Sequence, residues 1–323
     1  MNLLKLRQNL PLDTKIEMTK RRIREFYNQL GGNVYLSFSG GKDSTVLKHI
    51  VDNMHDCYNN IPLVFADTGL QFPEIKEFVY SFVDNKSEYE EITKYGYTQK
   101  YYDNLVVLKP KIPFNKVIEK YGYPVVSKEQ SQYIYEYRNT DSEKLKKKRI
   151  GKNKSSSYSI SGKWEFLINA PFKISHKCCD VMKKRPFRRY EKETGNSPIV
   201  GLMAENSFNR RSSYVRDGCN ILDKENKRSR PIIFWTEQDI LEYIYINKVK
   251  IADVYGEVKK GRSSYYTTGR NNTGCIFCMF GIHMEKKPNR FQKLKETHPK
   301  LWKYCMNKLG LKEVLEYMDI PYE

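Results

Sequence analysis

Short apolar runs alternate with amphipathic stretches over roughly the first 240 residues. Four runs rich in Val, Leu, Ile and Phe predict buried strands: residues 34–38, the beginning of 62–74, 105–108 and 197–204. Apolar residues at helical spacing predict an amphipathic helix over 13–30, ended by Gly31 and Gly32, and a second helix over about 43–55. Strands that alternate with helices indicate an α/β fold with a doubly wound parallel sheet.

The pattern changes after residue 230. Residues 230–235 predict one more short strand, and Thr236 and Asp239 predict the capped start of a helix. From about residue 250 the chain has the pattern of short helices and loops. We therefore expect an α/β domain over residues 1–240 and a smaller, helical and loop-rich C-terminal subdomain over residues 241–323.

A basic, serine-rich segment interrupts the α/β domain at about residues 138–163. It contains few large apolar side chains, so we expect a long loop or an insertion with weak helical character. Its charge suits contact with a nucleic-acid backbone, and a solvated linker is an equally good interpretation.

The link between the first strand and the next helix is the most informative stretch of the chain. A glycine turn that joins a strand to a helix N-terminus binds anions, because free N–H groups and the positive end of the helix dipole face the ligand. Glycines here tolerate positive φ and let a phosphate approach the backbone. The other residues supply hydroxyl groups and a cation, so the predicted phosphate-binding residues are Ser39, Gly40, Gly41, Lys42, Ser44 and Thr45.

This loop differs from the Walker A motif, because Leu36 occupies the position of its first glycine and Asp43 follows the lysine. Asp67 and Thr68 follow the second predicted strand, and the carboxyl ends of parallel strands meet at one edge of a sheet. We therefore expect Asp67 and Thr68 at the same edge as the loop, although an ordinary turn would contain similar residues.

Charge distinguishes this chain from an average protein of 323 residues, because its formal net charge is +19. A basic, tyrosine-rich surface favours polyanions, and nucleic acid is the first candidate partner. A general bias towards lysine would produce the same number. No apolar run reaches 18 residues and no apolar signal segment follows the N-terminus, so we expect a cytoplasmic protein without a membrane span.

The cysteines suggest metal or redox chemistry instead of disulfides. Cys178 and Cys179 are adjacent, and Cys275 and Cys278 form a C-x-x-C turn. Two such pairs supply four sulfur ligands for an iron–sulfur cluster or a zinc ion. The other three cysteines, Cys57, Cys219 and Cys305, have no ligand spacing and are expected to be packing residues.

Taken together, these motifs resemble the PAPS-reductase-like family of the ATP-pyrophosphatase (adenine nucleotide alpha-hydrolase) superfamily, of the type found in bacteria and phages. Ser39-Gly-Gly-Lys-Asp-Ser44 resembles its pyrophosphate loop, Asp67–Glu74 its second motif and Pro124–Glu129 its third. The Cys-Cys…Cys-x-x-Cys pattern is similar to the [4Fe–4S] site of adenylyl-sulfate (APS) reductases. The resemblance implies a HUP-like fold, and it favours a [4Fe–4S] cluster over zinc.

One family feature is missing from this sequence. APS and PAPS reductases carry a nucleophilic cysteine in a C-terminal Glu-Cys-Gly segment, whereas here the last cysteine, Cys305, lies in Lys-Tyr-Cys-Met-Asn. The resemblance then points to relatives that bind ATP with Mg²⁺, adenylylate a substrate and serve sulfur transfer, as in DNA phosphorothioation or tRNA thiolation. Such an enzyme implies a sulfur donor, for example a cysteine desulfurase, and its oligomeric state stays open.

The resemblance also implies roles for individual residues. The loop would hold pyrophosphate, with Lys42 neutralising developing charge and Asp43 helping to hold Mg²⁺. The remaining nucleotide or phosphate contacts would be Asp67, Thr68, Lys128, Arg210 and Arg211. The basic triplet Lys183-Lys184-Arg185 would either balance the charge of a cluster or form a solvated helix face.

Two alternatives remain at this level. The chain is a reductase of APS or PAPS that uses another thiol, Cys219 or Cys305, and releases sulfite. Or it is a nucleotide-sensing protein that binds nucleic acid without turnover.

Overall fold

The computed structural model describes residues 3–54, 60–83, 89–92, 98–102, 104–151, 158–223 and 225–323. The predicted end of the second long helix, residue 55, and Cys57 lie outside the described residues. None of the described helices combines the length and the apolar character needed to cross a membrane.

In chain order the α-helices are α1 (Leu3–Gln8), α2 (Leu12–Gln29), α3 (Lys42–Asp52), α4 (Pro73–Tyr80), α5 (Phe114–Tyr121), α6 (Lys128–Asn139), α7 (Glu143–Ile150), α8 (Arg185–Thr194), α9 (Phe208–Asp217), α10 (Glu237–Asn247), α11 (Arg290–Thr297), α12 (Pro299–Lys303) and α13 (Leu311–Tyr317). The strands are β1 (Val34–Ser37), β2 (Leu63–Ala66), β3 (Tyr89–Ile92), β4 (Thr98–Tyr101), β5 (Leu105–Leu108), β6 (Ser197–Val200), β7 (Asn220–Ile221), β8 (Arg228–Ser229), β9 (Val258–Lys260) and β10 (Tyr265–Thr267). Short 3-10 or π turns lie at Gly162–Asn169, Asp180–Lys184, Ala204–Asn206, Asp253–Tyr255, Ile282–Met284 and Tyr304–Lys308.

The chain forms two compact units, each assembled from separate segments. The first consists of Met1–Asp67, Gln71–Pro110 and Arg185–Gly274, and the second of Thr68–Leu70, Lys111–Lys184 and Cys275–Glu323. The predicted domains, divided at residues 240 and 241, were continuous segments, so the compact units follow a different division.

The first unit contains a mostly parallel sheet. Within the described residues its strand order is β3-β4-β5-β2-β1-β6-β8-β7. The pairs β5–β2, β2–β1, β1–β6 and β6–β8 are parallel, and antiparallel pairs extend the sheet at both edges. Parallel neighbours need crossover helices, which α3, α4 and α8 provide along the chain. This mixed α/β architecture confirms the predicted doubly wound, HUP-like fold.

Burial explains why the sheet forms from these strands. The central strands β2 and β5 are buried along their whole length, as expected for parallel strands covered on both faces. On one face Tyr35 packs against Phe187 and Tyr190 of α8, with ring centroids 6.1 and 5.2 Å away. Its neighbours Val34 and Leu36 point to the opposite face and are 1% and 0% exposed.

The second unit is built from α5–α7 and α11–α13 with long connections between them. Phe114 of α5 stacks on Phe277 at 6.4 Å, and the Tyr123 hydroxyl donates to the Leu309 carbonyl at 2.8 Å. These contacts connect its middle segment with its C-terminal one, residues 275–323, whereas residues 241–274 of the predicted C-terminal subdomain belong to the first unit.

Two local expectations need correction. Residues 230–235 do not form a strand, because Ile233 N–H bonds to Arg230 O at 3.1 Å and Trp235 N–H to Ile232 O at 3.0 Å, as in consecutive turns. Pro231 lacks the N–H that strand pairing needs. Ile232 and Ile233 are fully buried, so the run has the apolar character of a strand although it forms turns. The strand lies just before it, at β8.

The basic segment at 138–163 is more ordered than a free loop where it is described. It contains α7, capped by the Ser142 hydroxyl, which accepts from Leu145 N–H. Arg149 is 8% exposed and donates to Glu136 at 2.7 Å and to Tyr158 O at 2.6 Å. Residues 152–157 lie outside the description.

Candidate functional site

The predicted phosphate-binding loop lies between β1 and α3 in the first unit. Gly40 has φ +71°, and a Cβ there would lie 2.6 Å from Val79 Cγ2, so conformation and space both require glycine. α3 begins at Lys42, directly after Gly41, and its N-cap residue provides no side-chain cap. The N-terminus of this 11-residue helix faces the loop, as the sequence predicted, and its first N–H, that of Lys42, is bonded to the Tyr255 hydroxyl.

Three hydroxyl groups line this turn. Ser39 Oγ lies 3.0 Å from Ser44 Oγ, and Ser44 Oγ also accepts from Ser39 N–H at 3.2 Å. Ser44 and Thr45 both donate to the Gly41 carbonyl, at 2.8 and 3.1 Å. The hydroxyl groups hold the loop closed against the helix and keep its N–H groups in place.

The backbone of α3 is also contacted from the end of the fourth predicted strand. A Cβ on Gly201 would lie 3.1 Å from Ser44 Cα and 3.2 Å from the Asp43 carbonyl oxygen. A side chain at position 201 would therefore crowd the first turn of α3 and push its backbone away by a few tenths of an ångström.

Lys42 is nearly buried, with 2% of its side chain exposed. Its Nζ donates to the Asn271 carbonyl at 2.9 Å and lies 3.0 Å from Glu237 Oε1 and 3.5 Å from Asp43 Oδ1. Burial would lower the pKa of Lys42, but its pairing with Asp43 and Glu237 outweighs burial and raises it. Lys42 is thus a permanently charged group, neutralised by its own neighbours.

The Asp43 side chain is 23% exposed, but its Oδ1 atom is buried and has no hydrogen-bond donor among the described residues. Lys42 Nζ, at 3.5 Å, is too distant for a good hydrogen bond. Burial raises the pKa of the Asp43 carboxyl, while the charges of Lys42 and Arg210 act in the opposite direction. A buried carboxylate oxygen without a hydrogen-bond donor fits a divalent cation, because Mg²⁺ is bound through one or two carboxylates plus substrate phosphates.

Four residues of this site were not predicted from the sequence. The Tyr255 hydroxyl accepts from Lys42 N–H at 3.2 Å and lies 2.5 Å from Thr273 Oγ1. Glu237 and Asn271 hold the Lys42 ammonium, as described above. They come from segments more than 190 residues away in the sequence, and only Glu237, an acidic residue at the start of a capped helix, carried a local signal.

The predicted arginines differ from each other in placement. Arg210, in the first turn of α9, is half-buried and close enough to attract the Asp43 carboxylate. Burial lowers its pKa, as expected for a cation withdrawn from water. Arg211 lies on the exposed side of α9, and the described contacts do not connect it with the loop. The structure therefore associates Arg210 with the loop, and Arg211 stays a prediction.

Asp67 and Thr68 follow β2, as expected, and are 8% and 6% exposed. Asp67 forms an ion pair with Lys76 Nζ at 2.8 Å in the first unit. Thr68 belongs to the second unit, where its hydroxyl accepts from Leu70 N–H at 3.2 Å. Their role in binding a nucleotide stays a prediction.

The four paired cysteines all lie in the second unit. Cys178 and Cys179 precede the π turn Asp180–Lys184, and their sulfur atoms are 3.9 Å apart. Cys275 and Cys278 form a tight turn closed by Cys278 N–H to Cys275 O at 3.1 Å. Arg290 supports this turn by donating to the Cys278 carbonyl at 3.0 Å.

Electrostatics connects the two pairs. The pKa of Cys179 is lowered to about 6, chiefly by a hydrogen bond with Cys178 and, against the effect of burial, by Lys183, Lys128 and Lys184. The pKa of Cys178 is raised by that same bond, by burial and by the other three thiols. Lys183 donates to Cys275, and the charge of this thiol is the main cause of a raised Lys183 pKa.

These contacts bear on three of the predicted cations. Lys183 and Lys184 lower the pKa of Cys179, and both are exposed, so charge balance and a solvated helix face stay open as their predicted roles. Lys128 also lowers the pKa of Cys179, so the structure shows it as a neighbour of this thiol. Its predicted reach to a substrate phosphate stays a prediction.

The donor set has the chemistry of an iron–sulfur or zinc ligand set, with four thiols, one easily ionised, and cations to balance their charge. Within the described residues, however, no group of three or more His, Cys, Asp or Glu side chains is arranged to hold a metal ion as it stands. The thiols influence one another's pKa without surrounding a common centre. A metal centre here stays a prediction.

The remaining described cysteines are buried packing residues, as expected. Cys219 is 4% exposed and Cys305 is 0% exposed. Burial raises the pKa of Cys219, and it raises that of Cys305 to about 12. Both are therefore neutral thiols at physiological pH and poor nucleophiles.

Comparison with known proteins agrees with this combination of fold and loop. A family model described as the phosphoadenosine phosphosulfate reductase domain matches residues 33–147 and 125–278, which together span well over half of the chain.

Among solved structures, a phosphoadenylyl-sulfate (PAPS) reductase from Candida auris in complex with phosphate is similar at 16% sequence identity and a TM-score of 0.39. The match covers 81% of this chain and 94% of that one. No curated protein sequence is similar enough to count as a match. The family model therefore carries the comparison.

Proposed function

The chain belongs to the phosphoadenosine phosphosulfate reductase domain family, an enzyme family, and from this we propose that it uses ATP to adenylylate an acceptor for sulfur transfer. The acceptor class that we propose is nucleic acid, as in DNA phosphorothioation or tRNA thiolation. The proposal goes beyond the family assignment, which is equally compatible with reduction.

One observation carries the proposal, namely the unsatisfied Asp43 oxygen in the first turn of α3. The N-terminus of a helix attracts phosphate, and a buried carboxylate oxygen that accepts no hydrogen bond attracts a divalent cation. Both features at one loop suit a triphosphate with its bound Mg²⁺. A site for inorganic phosphate alone would have no use for a buried carboxylate.

In the proposed reaction, each residue of the site would have its own role. The loop N–H groups, ordered by Ser39 and Ser44, bind the phosphates that leave as pyrophosphate. Lys42 and Arg210 stabilise the negative charge that develops on this leaving group. Asp43 holds Mg²⁺, which when bound polarises the phosphoryl oxygens and neutralises charge.

The thiols give a reason to prefer this reaction to sulfonucleotide reduction. A reductase needs a nucleophilic thiolate outside the metal ligands, and the two cysteines considered for that role are Cys219 and Cys305. Both are buried, with raised pKa values. We assign the four paired cysteines, Cys178, Cys179, Cys275 and Cys278, to a [4Fe–4S] cluster that would hold or deliver sulfur from a donor such as a cysteine desulfurase, with zinc as the less favoured occupant.

The test is exchange of labelled pyrophosphate into ATP, with Mg²⁺ and DNA or tRNA acceptors, followed by identification of the products. We expect exchange, and release of AMP and pyrophosphate when a sulfur donor is added. The Asp43→Asn variant should lose exchange by at least a hundredfold, a loss typical of groups that stabilise the transition state. Asp52→Asn, which changes an exposed carboxylate at the other end of α3, is the matched control and should exchange normally.

Release of ADP and phosphate would refute the proposal. Release of sulfite from labelled APS or PAPS, with no exchange on ATP, would establish the reductase alternative instead. If that sulfite release survives in the Cys219→Ser, Cys305→Ser double variant, neither thiol is its nucleophile.

A further inference from the structure

The hairpin of β9 and β10 in the first unit has a strongly basic surface. Residues 257–267 contain three cations and one carboxylate, and Lys259, Lys260 and Arg262 are exposed. The carboxylate, Glu257, lies 3.3 Å from Lys259 Nζ, but the two side chains are 78% and 53% exposed. An ion pair so exposed is weak, so the hairpin keeps a net positive charge towards solvent.

Each face of this hairpin combines a lysine with a tyrosine. The register places Lys260 opposite Tyr265 and Lys259 opposite Tyr266, and successive side chains point to opposite faces. On one face Lys260 Nζ lies 5.8 Å from the centre of the Tyr265 ring. On the other face Tyr266 is 48% exposed.

Helix α10 extends the aromatic surface. Tyr245 is 46% exposed, and its ring centre is 5.3 Å from that of Tyr265. The Gln238 side chain fixes the hairpin to the helix, because it accepts from Tyr265 N–H at 2.8 Å and donates to Tyr265 O at 3.1 Å. The tyrosines and lysines are therefore held on a rigid support.

This surface is continuous with the wall of the phosphate loop. Antiparallel bonding extends past the strands, from Thr268 N–H to Glu257 O at 2.9 Å and from Gly269 N–H to Tyr255 O at 2.8 Å. Tyr255 is the residue whose hydroxyl accepts from Lys42 N–H, and Asn271, further along the same segment, accepts from Lys42 Nζ. One bonded ribbon thus connects the basic surface with the residue that would neutralise pyrophosphate.

We propose that single-stranded nucleic acid wraps the hairpin β9–β10, contacting the face of Lys259 and Tyr266 and also the opposite face, which the exposed side of α10 extends. Exposed rings stack on bases of any sequence, and neighbouring cations attract the phosphates, which is how single strands are held without sequence preference. The inference depends on the proposed function in one respect: it takes the bound nucleic acid to be the acceptor that is adenylylated. Binding itself requires no turnover and is tested separately.

The experiment measures fluorescence anisotropy of labelled single-stranded DNA and RNA oligomers of about 20 nucleotides, longer than the site of one such surface. The variant Lys259→Gln, Lys260→Gln, Arg262→Gln should bind at least about tenfold more weakly. Its salt dependence should also fall by about two units of log–log slope, since each lost phosphate contact on a single strand removes about 0.7. The variants Tyr245→Ala and Tyr266→Ala should each weaken binding about tenfold with an unchanged slope, because stacking releases no counterions.

The matched control is Lys300→Gln, Lys303→Gln, Lys308→Gln, which removes the same charge from exposed positions in the second unit. It should bind as the unchanged protein does, and Tyr266→Phe should retain the affinity that Tyr266→Ala loses. Equal losses in the control and the hairpin variants would overturn the proposal, since general charge would then explain binding. Equally tight binding of poly-glutamate, insensitive to Tyr245→Ala, would overturn it in favour of an acidic protein partner.

The two proposals fail in distinguishable ways. Normal hairpin-dependent binding without any pyrophosphate exchange would refute the adenylylation and leave the surface intact. Exchange on a nucleic-acid acceptor that is unaffected by the hairpin variants would support the enzyme and refute this surface.

Discussion

Lys42 is paired with carboxylates of its own protein, those of Asp43 and Glu237. Its ammonium lies 3.0 Å from Glu237 Oε1, and only 2% of the lysine side chain is exposed. An incoming phosphate must therefore compete with Glu237 for this cation. The glutamate also places a negative charge close to the proposed phosphate site, so it would oppose phosphate binding in two ways.

We predict that Glu237→Gln binds ATP–Mg²⁺ about fivefold more tightly, or by ~1 kcal/mol, a modest value because the glutamate is 34% exposed and screened by solvent. Titration calorimetry would measure the change. Glu242→Gln, on the same helix α10, is the control for the loss of one negative charge. Weaker binding by Glu237→Gln would show instead that the glutamate positions Lys42.

The protonation state of the Cys305 thiol provides a second prediction. Burial raises the pKa of this thiol to about 12, so it is protonated at pH 8 in the folded protein. We predict that iodoacetamide at pH 8 leaves Cys305 unmodified in the native protein and modifies it in urea, as peptide mass mapping would show. Modification of native Cys305 at the rate of a free thiol would contradict this prediction and would support the reductase alternative, in which Cys305 is a reactive thiol.

The same pKa shift of Cys305 determines how the free energy of unfolding changes with pH. The unfolded thiol has a pKa of about 8.5 and the folded thiol a higher one, so the folded state binds the proton more tightly. The stabilisation is therefore complete below about pH 8.5 and is lost as the pH rises towards about 12. In Cys305→Ala this part of the alkaline decline in unfolding free energy should be absent.

At the scale of elements, the start of α10 is held by a buried ion pair with α2. Lys15 is 1% exposed, and its Nζ lies 2.7 Å from both carboxylate oxygens of Asp239. Asp239 also accepts from Thr236 N–H at 2.6 Å and completes a capping box. The same carboxylate therefore fixes the helix that carries Glu237 and connects it with α2.

We predict that Lys15→Met destabilises the protein by about 3–5 kcal/mol, because it leaves Asp239 charged and uncompensated in the interior. Urea unfolding would measure this loss. Lys20→Met on the same helix breaks an exposed pair with Glu17 and should cost less than about 1 kcal/mol. Adding Asp239→Asn to Lys15→Met should restore part of the stability, and a further loss would contradict the electrostatic explanation.

The elements that could be predicted from sequence are those with strong local signals. The apolar runs of β1 and β5, the glycines of the loop and the capping box at Thr236 each determine their structure within a few residues. The strands β7 and β8, of two residues each, are too short to carry a pattern, and the apolar run at 232–235 forms turns because Pro231 prevents pairing. The walls of the loop, Tyr255 and Asn271, depend on long-range packing that no local pattern encodes.

At the scale of the whole molecule, the four paired cysteines allow a test of metal content. We predict that anaerobically purified protein is brown and contains about four iron atoms per chain. Cys275→Ser should abolish the colour, whereas Cys219→Ala, which changes a buried packing thiol, should retain it. A colourless protein with about one zinc per chain would refute the iron–sulfur assignment and leave the adenylylation proposal untouched.

The order of strands in the sheet has a consequence for synthesis. β1 lies between β2 and β6, and its pairing with β6 joins Val34 to Ser197. When β5 leaves the ribosome, β1 therefore has an unpaired edge, and the chain must still complete α5 to α8 before β6 arrives. Unpaired apolar edges readily join other chains. We expect the yield of folded protein in the cell to depend on translation speed and chaperone supply as well as on equilibrium stability.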